Sequence, residues 1–125
     1  LTVLTWGAMV ERCEMAAKQI MEESVFEGSI ELIDLRTIVP WDKEAILASI
    51  GKTGKCLIVH EDIGLAGFGA EIAAVLVQEA FFDLDGPVER LTAPSVPVPF
   101  NMDLMAAVVP GTDLIKQRME ALLSF

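Results

Sequence analysis

An unbroken apolar and β-branched run opens the chain, "LTVLTWG" (1–7), and stops at Gly7. With no polar position alternating, it predicts a strand buried on both faces. From Ala8 to Ser24 the period changes. Val10, Cys13, Ala17 and Ile20 recur at spacings of three and four, while Glu11, Glu14, Lys18 and Glu22 fall elsewhere, which predicts an amphipathic helix. Gly28 interrupts, and "SIELIDL" (29–35) predicts a second strand whose end carries Asp34 and Arg36. Pro40 bars that strand from continuing as a central one. Asp42 is a good N-cap for a short helix to about Ile50, closed by Gly51 and Gly54. "KCLIVHE" (55–61) predicts a third strand, residues 70–82 a third helix and "PVERLTA" (87–93) a fourth strand. Three prolines in "PSVPVPF" (94–100) give an extended, rigid connection. A weak helical turn is expected near 102–107. Pro110-Gly111-Thr112 then opens a last helix with Ile115, Met119 and Leu122 on one face.

Short all-apolar strands separated by helices imply an α/β domain with a parallel sheet covered on both faces and right-handed crossovers. The 125 residues suit one domain, 1–125, with no repeat or linker. Composition adds two constraints. The chain is 53% hydrophobic yet carries a formal charge of −10. The apolar excess suggests that part of it covers a partner. The acidity argues against nucleic acid, which demands Lys and Arg, and suits a basic protein partner or simple solubility. Cys13 and Cys56 form no metal or redox spacing and read as buried free thiols in a reducing compartment. No apolar run reaches the ~18–20 residues of a membrane span, and no signal peptide opens the chain. A start at Leu1 reads as a fragment of something longer.

The candidate chemistry lies where the third strand meets the third helix, in "VHEDIGLAGFGAEIA". Strand, glycine loop and helix form the usual scaffold of phosphate sites, but the order here is Gly64, Gly67, Gly69, a G-x-x-G-x-G, with no following lysine. Glu61, Asp62 and Glu71 would repel a phosphate and can themselves complement the helix terminus. The glycines therefore read as backbone geometry. His60, the single histidine, ends a strand where ligand crevices form, with Glu61 or Asp62 able to orient it. No nucleophile is paired with it, so a structural or interface histidine is the expectation. The third helix carries only Glu71, Gln78 and Glu79 as polar residues. Such a helix is buried on more than one side, either in the core or against another subunit, and the subunit contact is favoured. Asp83, Asp85, Glu89 and the chain end form an acidic group that could take a divalent cation, a partner's Lys or Arg, or only water.

"IELIDLRTIVPWD", "KTGKCLIVHED", "GFGAEIA" and "LDGPVERLTAPSVPVPF", in this order and spacing, resemble the C-terminal, transketolase C-terminal-like domain of the beta subunit of 2-oxo acid dehydrogenases of the pyruvate, branched-chain and acetoin types. The resemblance covers essentially the whole chain. It implies a three-layer α/β/α domain with a mainly parallel sheet: four parallel strands in the order second, first, third, fourth, preceded upstream by an antiparallel edge strand. It implies pairing with an alpha subunit and a second beta subunit in an α2β2 assembly. Thiamin diphosphate and magnesium would belong to the parent enzyme and none of either to this domain, since no diphosphate motif or activating glutamate lies in these residues. The isolated domain would be silent catalytically, while the parent decarboxylates a 2-oxo acid and acylates a lipoyl arm. Docking to the subunit-binding domain of an acyltransferase core would fall on Asp85, Glu89 and Phe125. Gly64, Gly67, Phe68, Gly69 and Ile72 would form the subunit interface. The compartment implied is the bacterial cytoplasm or the mitochondrial matrix. Where branched-chain-like relatives often carry His after "PxP", this chain has Phe100, and 101–114 departs from the commoner versions. The alternative is a nucleotide- or anion-binding regulatory α/β module. A flavodoxin-like signalling domain lacks its acidic pocket here, because Trp6-Gly7 stands at the end of the first strand.

Overall fold

A computed structural model describes residues 1–23 and 28–125. The elements in chain order are β1 (Thr2–Thr5), α1 (Met9–Glu23), β2 (Glu31–Asp34), α2 (Lys43–Thr53), β3 (Cys56–Ile63), α3 (Phe68–Glu79), β4 (Val88–Ala93), α4 (Met102–Val108) and α5 (Thr112–Ser124). The expected end of the first helix, Ser24, lies outside the described residues.

The four strands form one parallel sheet in the order β2-β1-β3-β4. This is the arrangement expected from the resemblance. The strand that reads as wholly apolar is central. Every residue of β1 is buried, because alternate side chains feed two cores. Val3 joins Leu57, Val59 and the inner faces of α1 and α5 (Met9, Cys13, Ile20, Ile115, Met119). Leu4 joins Cys56, Ile58 and the inner faces of α2 and α3 (Ile46, Ile50, Ile72, Leu76). The layers are therefore α1/α5, sheet, and α2/α3, as a doubly covered parallel sheet requires. Thr2, polar and fully buried, is accommodated by hydroxyl contacts with Ser49 at 2.6 Å and Thr53 at 2.7 Å.

Element ends follow local chemistry. Asp42 caps α2 by accepting from the Ala45 amide. Gly54 closes it in the left-handed region (φ 67°), donating its N–H to the Ile50 carbonyl. Asn101 caps α4 through the amides of Asp103 and Leu104. Several boundaries differ from expectation: α2 runs through Gly51 to Thr53, past the expected end near Ile50, and β2 is shorter than 29–35. The third helix spans Phe68–Glu79, two residues earlier at its start, and Ala80 leaves helical backbone so that Phe81–Asp83 form a separate 3-10 turn. β3 continues past Glu61 to Ile63, with an irregular pairing to β4 between Val59 and Ile63.

Candidate functional site

The residues singled out from the sequence gather at opposite ends of the sheet. His60 and the glycine turn lie at the carboxyl end of β3. Asp85 and Phe125 lie at its amino end, beside Gly54 and the start of β4.

At the upper end, His60 is only 1% exposed. Its ring stacks on the Trp6 indole at 5.1 Å with planes 14° apart. Phe68 packs edge-on against Trp6 and against Trp41, at 5.6 Å and 6.1 Å. The glycines of the turn face this cluster. A side-chain carbon at Gly69 would lie 2.7 Å from His60 Nε2, and one at Gly67 would lie 2.7 Å from the Ile63 carbonyl and 3.2 Å from His60 Cε1. One at Gly64 would lie 2.8 Å from Thr92 Oγ1. None of the three has positive φ, and the left-handed position in the turn is Ala66 at φ 52°. These glycines supply room, not unusual dihedrals. Of the five expected interface residues, Gly69 and Ile72 are buried in the domain's own interior, and Gly64, Gly67 and Phe68 are half-buried. Their exposed neighbours are Leu65, Ala66, Glu71, Ala74 and Val77.

Neither ring nitrogen of His60 completes a hydrogen bond of ordinary geometry, and with Thr5 Oγ1 they are the orphaned buried side-chain atoms among the described residues. Burial holds the imidazole pKa below its usual 6.5, and Arg90 adds to the effect, while Asp62 and its main chain oppose it. His60 is therefore neutral at physiological pH. The turn does not fit a diphosphate cofactor such as thiamin diphosphate. The space in front of Gly67 and Gly69 is taken by imidazole, and the exposed carboxylates of Glu61 and Asp62 follow directly in β3. Among the described residues no group of three or more His, Cys, Asp or Glu could hold a metal ion. Burial also pushes the thiols up, Cys13 to about 11 and Cys56 to about 12, so neither is a nucleophile at neutral pH.

At the lower end an open groove of about 600 Å³ is lined by Val77, Phe81, Phe82, Leu84, Pro87, Val88 and Phe125, with Asp85 and Gly86. Phe82 is 97% exposed, Phe125 72% and Phe81 61%. The groove exists because of close backbone fits. The Asp85 amide donates to the Gly54 carbonyl at 2.7 Å, and its carboxylate rests against Gly54, where any side chain would collide. The Phe125 ring lies over Gly86, 3.1 Å from where a side-chain carbon would sit. Two of the three expected docking residues, Asp85 and Phe125, thus share one apolar groove. Glu89 is half-buried on β4 and does not line it. Sequence reasoning missed Phe81 and Phe82 as lining residues. The signal was the aromatic pair ending an apolar helix just before "DLDGP".

Two separate surfaces, the turn packed on His60 and the open apolar groove, thus lie at opposite ends of a doubly wound α/β sheet. Residues 1–115 match the family described as "Transketolase, C-terminal domain", and the chain belongs to that family. It is 46% identical over 101 residues to the mitochondrial 2-oxoisovalerate dehydrogenase subunit beta of Chaetomium thermophilum, a match covering 79% of this chain and 21% of that protein. It is 34% identical over 126 residues to the 2-oxoisovalerate dehydrogenase subunit beta of Bacillus subtilis, covering 100% and 38%. It is 36% identical over 111 residues to the pyruvate dehydrogenase E1 component subunit beta of Rickettsia bellii, covering 89% and 33%. The chain therefore spans between a fifth and two fifths of the length of these relatives. A solved structure titled "Split gene transketolase, inactive beta4 tetramer" superposes with a TM-score of 0.79 over 98% of this chain and 38% of that one, at 22% identity, which bears on the fold. Among the described residues no helix is long and apolar enough to cross a membrane.

Proposed function

We propose that this chain is the assembly and core-docking domain of a 2-oxo acid dehydrogenase beta subunit. The parent enzyme would decarboxylate a 2-oxo acid with thiamin diphosphate and magnesium held outside this domain, and pass the acyl group to a lipoyl arm. The relatives named above are beta subunits of such dehydrogenases, which supports the reading. The observation that carries the docking role is the groove holding Asp85 and Phe125 together among exposed aromatics. Its occupant is a basic module, the subunit-binding domain of an acyltransferase core. Phe81, Phe82 and Phe125 would receive an apolar side chain, and Asp83, Asp85 and Glu89 would receive Lys or Arg. Contacts with an alpha subunit and a second beta subunit would fall on the other end. There Leu65 (73% exposed), Val39 (88%) and Phe100 (101%) leave the apolar excess of the sequence uncovered in this chain.

Calorimetric titration with a subunit-binding domain tests the docking role. We expect binding that Phe125→Ala and Asp85→Asn each weaken about tenfold or more, as loss of a hot-spot contact does. Absence of binding, together with unmoved NMR signals of Val77 and Phe82, overturns it. A thermal-shift screen with nucleotides and thiamin diphosphate separates this reading from the anion-binding alternative, which requires a raised melting temperature.

A further inference from the structure

We propose that His60 is a proton-sensitive latch: neutral, it packs the β3–α3 turn and Trp6 into one unit, and protonated, it drives that turn open. The proposal stands apart from the docking and assembly roles. It rests on geometry. The ring is 1% exposed, both its nitrogens are without hydrogen-bond partners, and Nε2 faces Gly69 in the first turn of α3. Gly67, the N-cap of α3, offers no side-chain acceptor to the free amides there, and the positive end of a helix opposes a cation. An imidazolium in this position would have two N–H donors and, beyond a poorly formed contact with the Asp62 main chain, nothing to receive them, which a buried polar group tolerates only by moving towards water.

The groups around it do not rescue the charge. The residue after β1, Trp6, contributes its indole and no titratable group. β3 contributes Glu61 and Asp62, both exposed, and Asp62 favours protonation. β4 contributes Arg90, which opposes protonation and whose guanidinium donates to the Gly64 carbonyl at 2.8 Å, within the turn itself. α3 contributes Glu71, exposed in its first turn. Burial outweighs the Asp62 carboxylate. The turn also has somewhere to go, since Leu65 and Ala66 are already exposed. The Trp6 stack would report the opening directly.

Because His60 is the single histidine, its Cε1–H resonance can be followed without ambiguity as the 125-residue chain is titrated from pH 8 to pH 5. We expect a midpoint below 6.5. The Gly67 and Gly69 amides and the Trp6 indole N–H should shift or broaden with that same midpoint, while the Val3 amide in β1 stays fixed. In His60→Gln those amide transitions should vanish. A midpoint at or above 6.5, turn amides indifferent to it, or the same transition surviving in His60→Gln overturns the latch. Should His60→Gln fail to fold, the titration of the unsubstituted chain decides alone.

Discussion

A carbon added at Gly69 meets His60 Nε2 at 2.7 Å, His60 Cδ2 at 2.8 Å and Ile58 Cγ2 at 3.2 Å, all of them inside the domain. Gly69→Val therefore overpacks a filled core. Expected losses are about 1–3 kcal/mol, read as a lower urea midpoint of the chain. By the family resemblance Gly69 would belong to a subunit interface, which makes altered assembly the competing outcome. The contacts put the domain's own stability first, and unchanged stability with an altered oligomer would reverse that order. His60 sets the accompanying pH dependence. Its native pKa is depressed, so the folded state binds the proton more weakly than the unfolded chain does. Its contribution to stability is complete above the ordinary value of 6.5 and is lost as pH falls towards the lower native value. Urea midpoints should drop between pH 7 and pH 5 in the unsubstituted chain, and drop less in His60→Gln. That glycines were needed here was legible from their order and from the missing lysine. What they make room for was not, because the stacking of His60 on Trp6 joins strands 54 positions apart in sequence.

At the scale of elements, α3 shows how far an apolar pattern can be read. Its sequence is too apolar for a helix with one wet face, and the structure divides that surplus. Ile72, Leu76 and Ala80 are buried against Leu4, Ile50 and Ile58, whereas Ala74 and Val77 look outward, Val77 at 51% exposure. Leu76→Ala should cost about 2–5 kcal/mol, the range for a truncated core leucine. Val77→Ser should leave thermal stability within about 0.5 kcal/mol, as surface changes do. A comparable loss from both would mean that α3 is buried on both sides. The strands and caps were readable because they rest on local rules: all-apolar runs for β1 and β3, Asp42 before α2, Gly54 after it. The break after Glu79 was not, since the aromatic pair Phe81-Phe82 continues the apolar run without a Gly or Pro to mark the helix end. It is that break which frees both rings to line the groove.

Across the whole molecule the two surfaces are held apart by β3, which runs from Cys56 beside the groove to Ile63 at the turn. At ~3.3 Å per residue its eight residues span about 23 Å between first and last. Sites at that separation with no shared partner behave additively. Phe125→Ala should therefore abolish or weaken docking without moving the His60 titration, and His60→Gln should remove the acid transition of the turn without changing affinity at neutral pH. The formal charge of −10 gives the docking step a second signature. Steering of a basic partner by an acidic surface acts mainly on association, over a Debye length of about 8 Å at physiological salt. Stopped-flow association rates should fall several-fold between low salt and about 0.5 M, and the fall should be smaller in Asp85→Asn. Phe125→Ala should instead raise the dissociation rate, because an aromatic over Gly86 acts at contact distance and not through the field. If both substitutions altered only dissociation, with salt indifferent, the acidic rim would have no part in recognition and the groove would bind by shape alone.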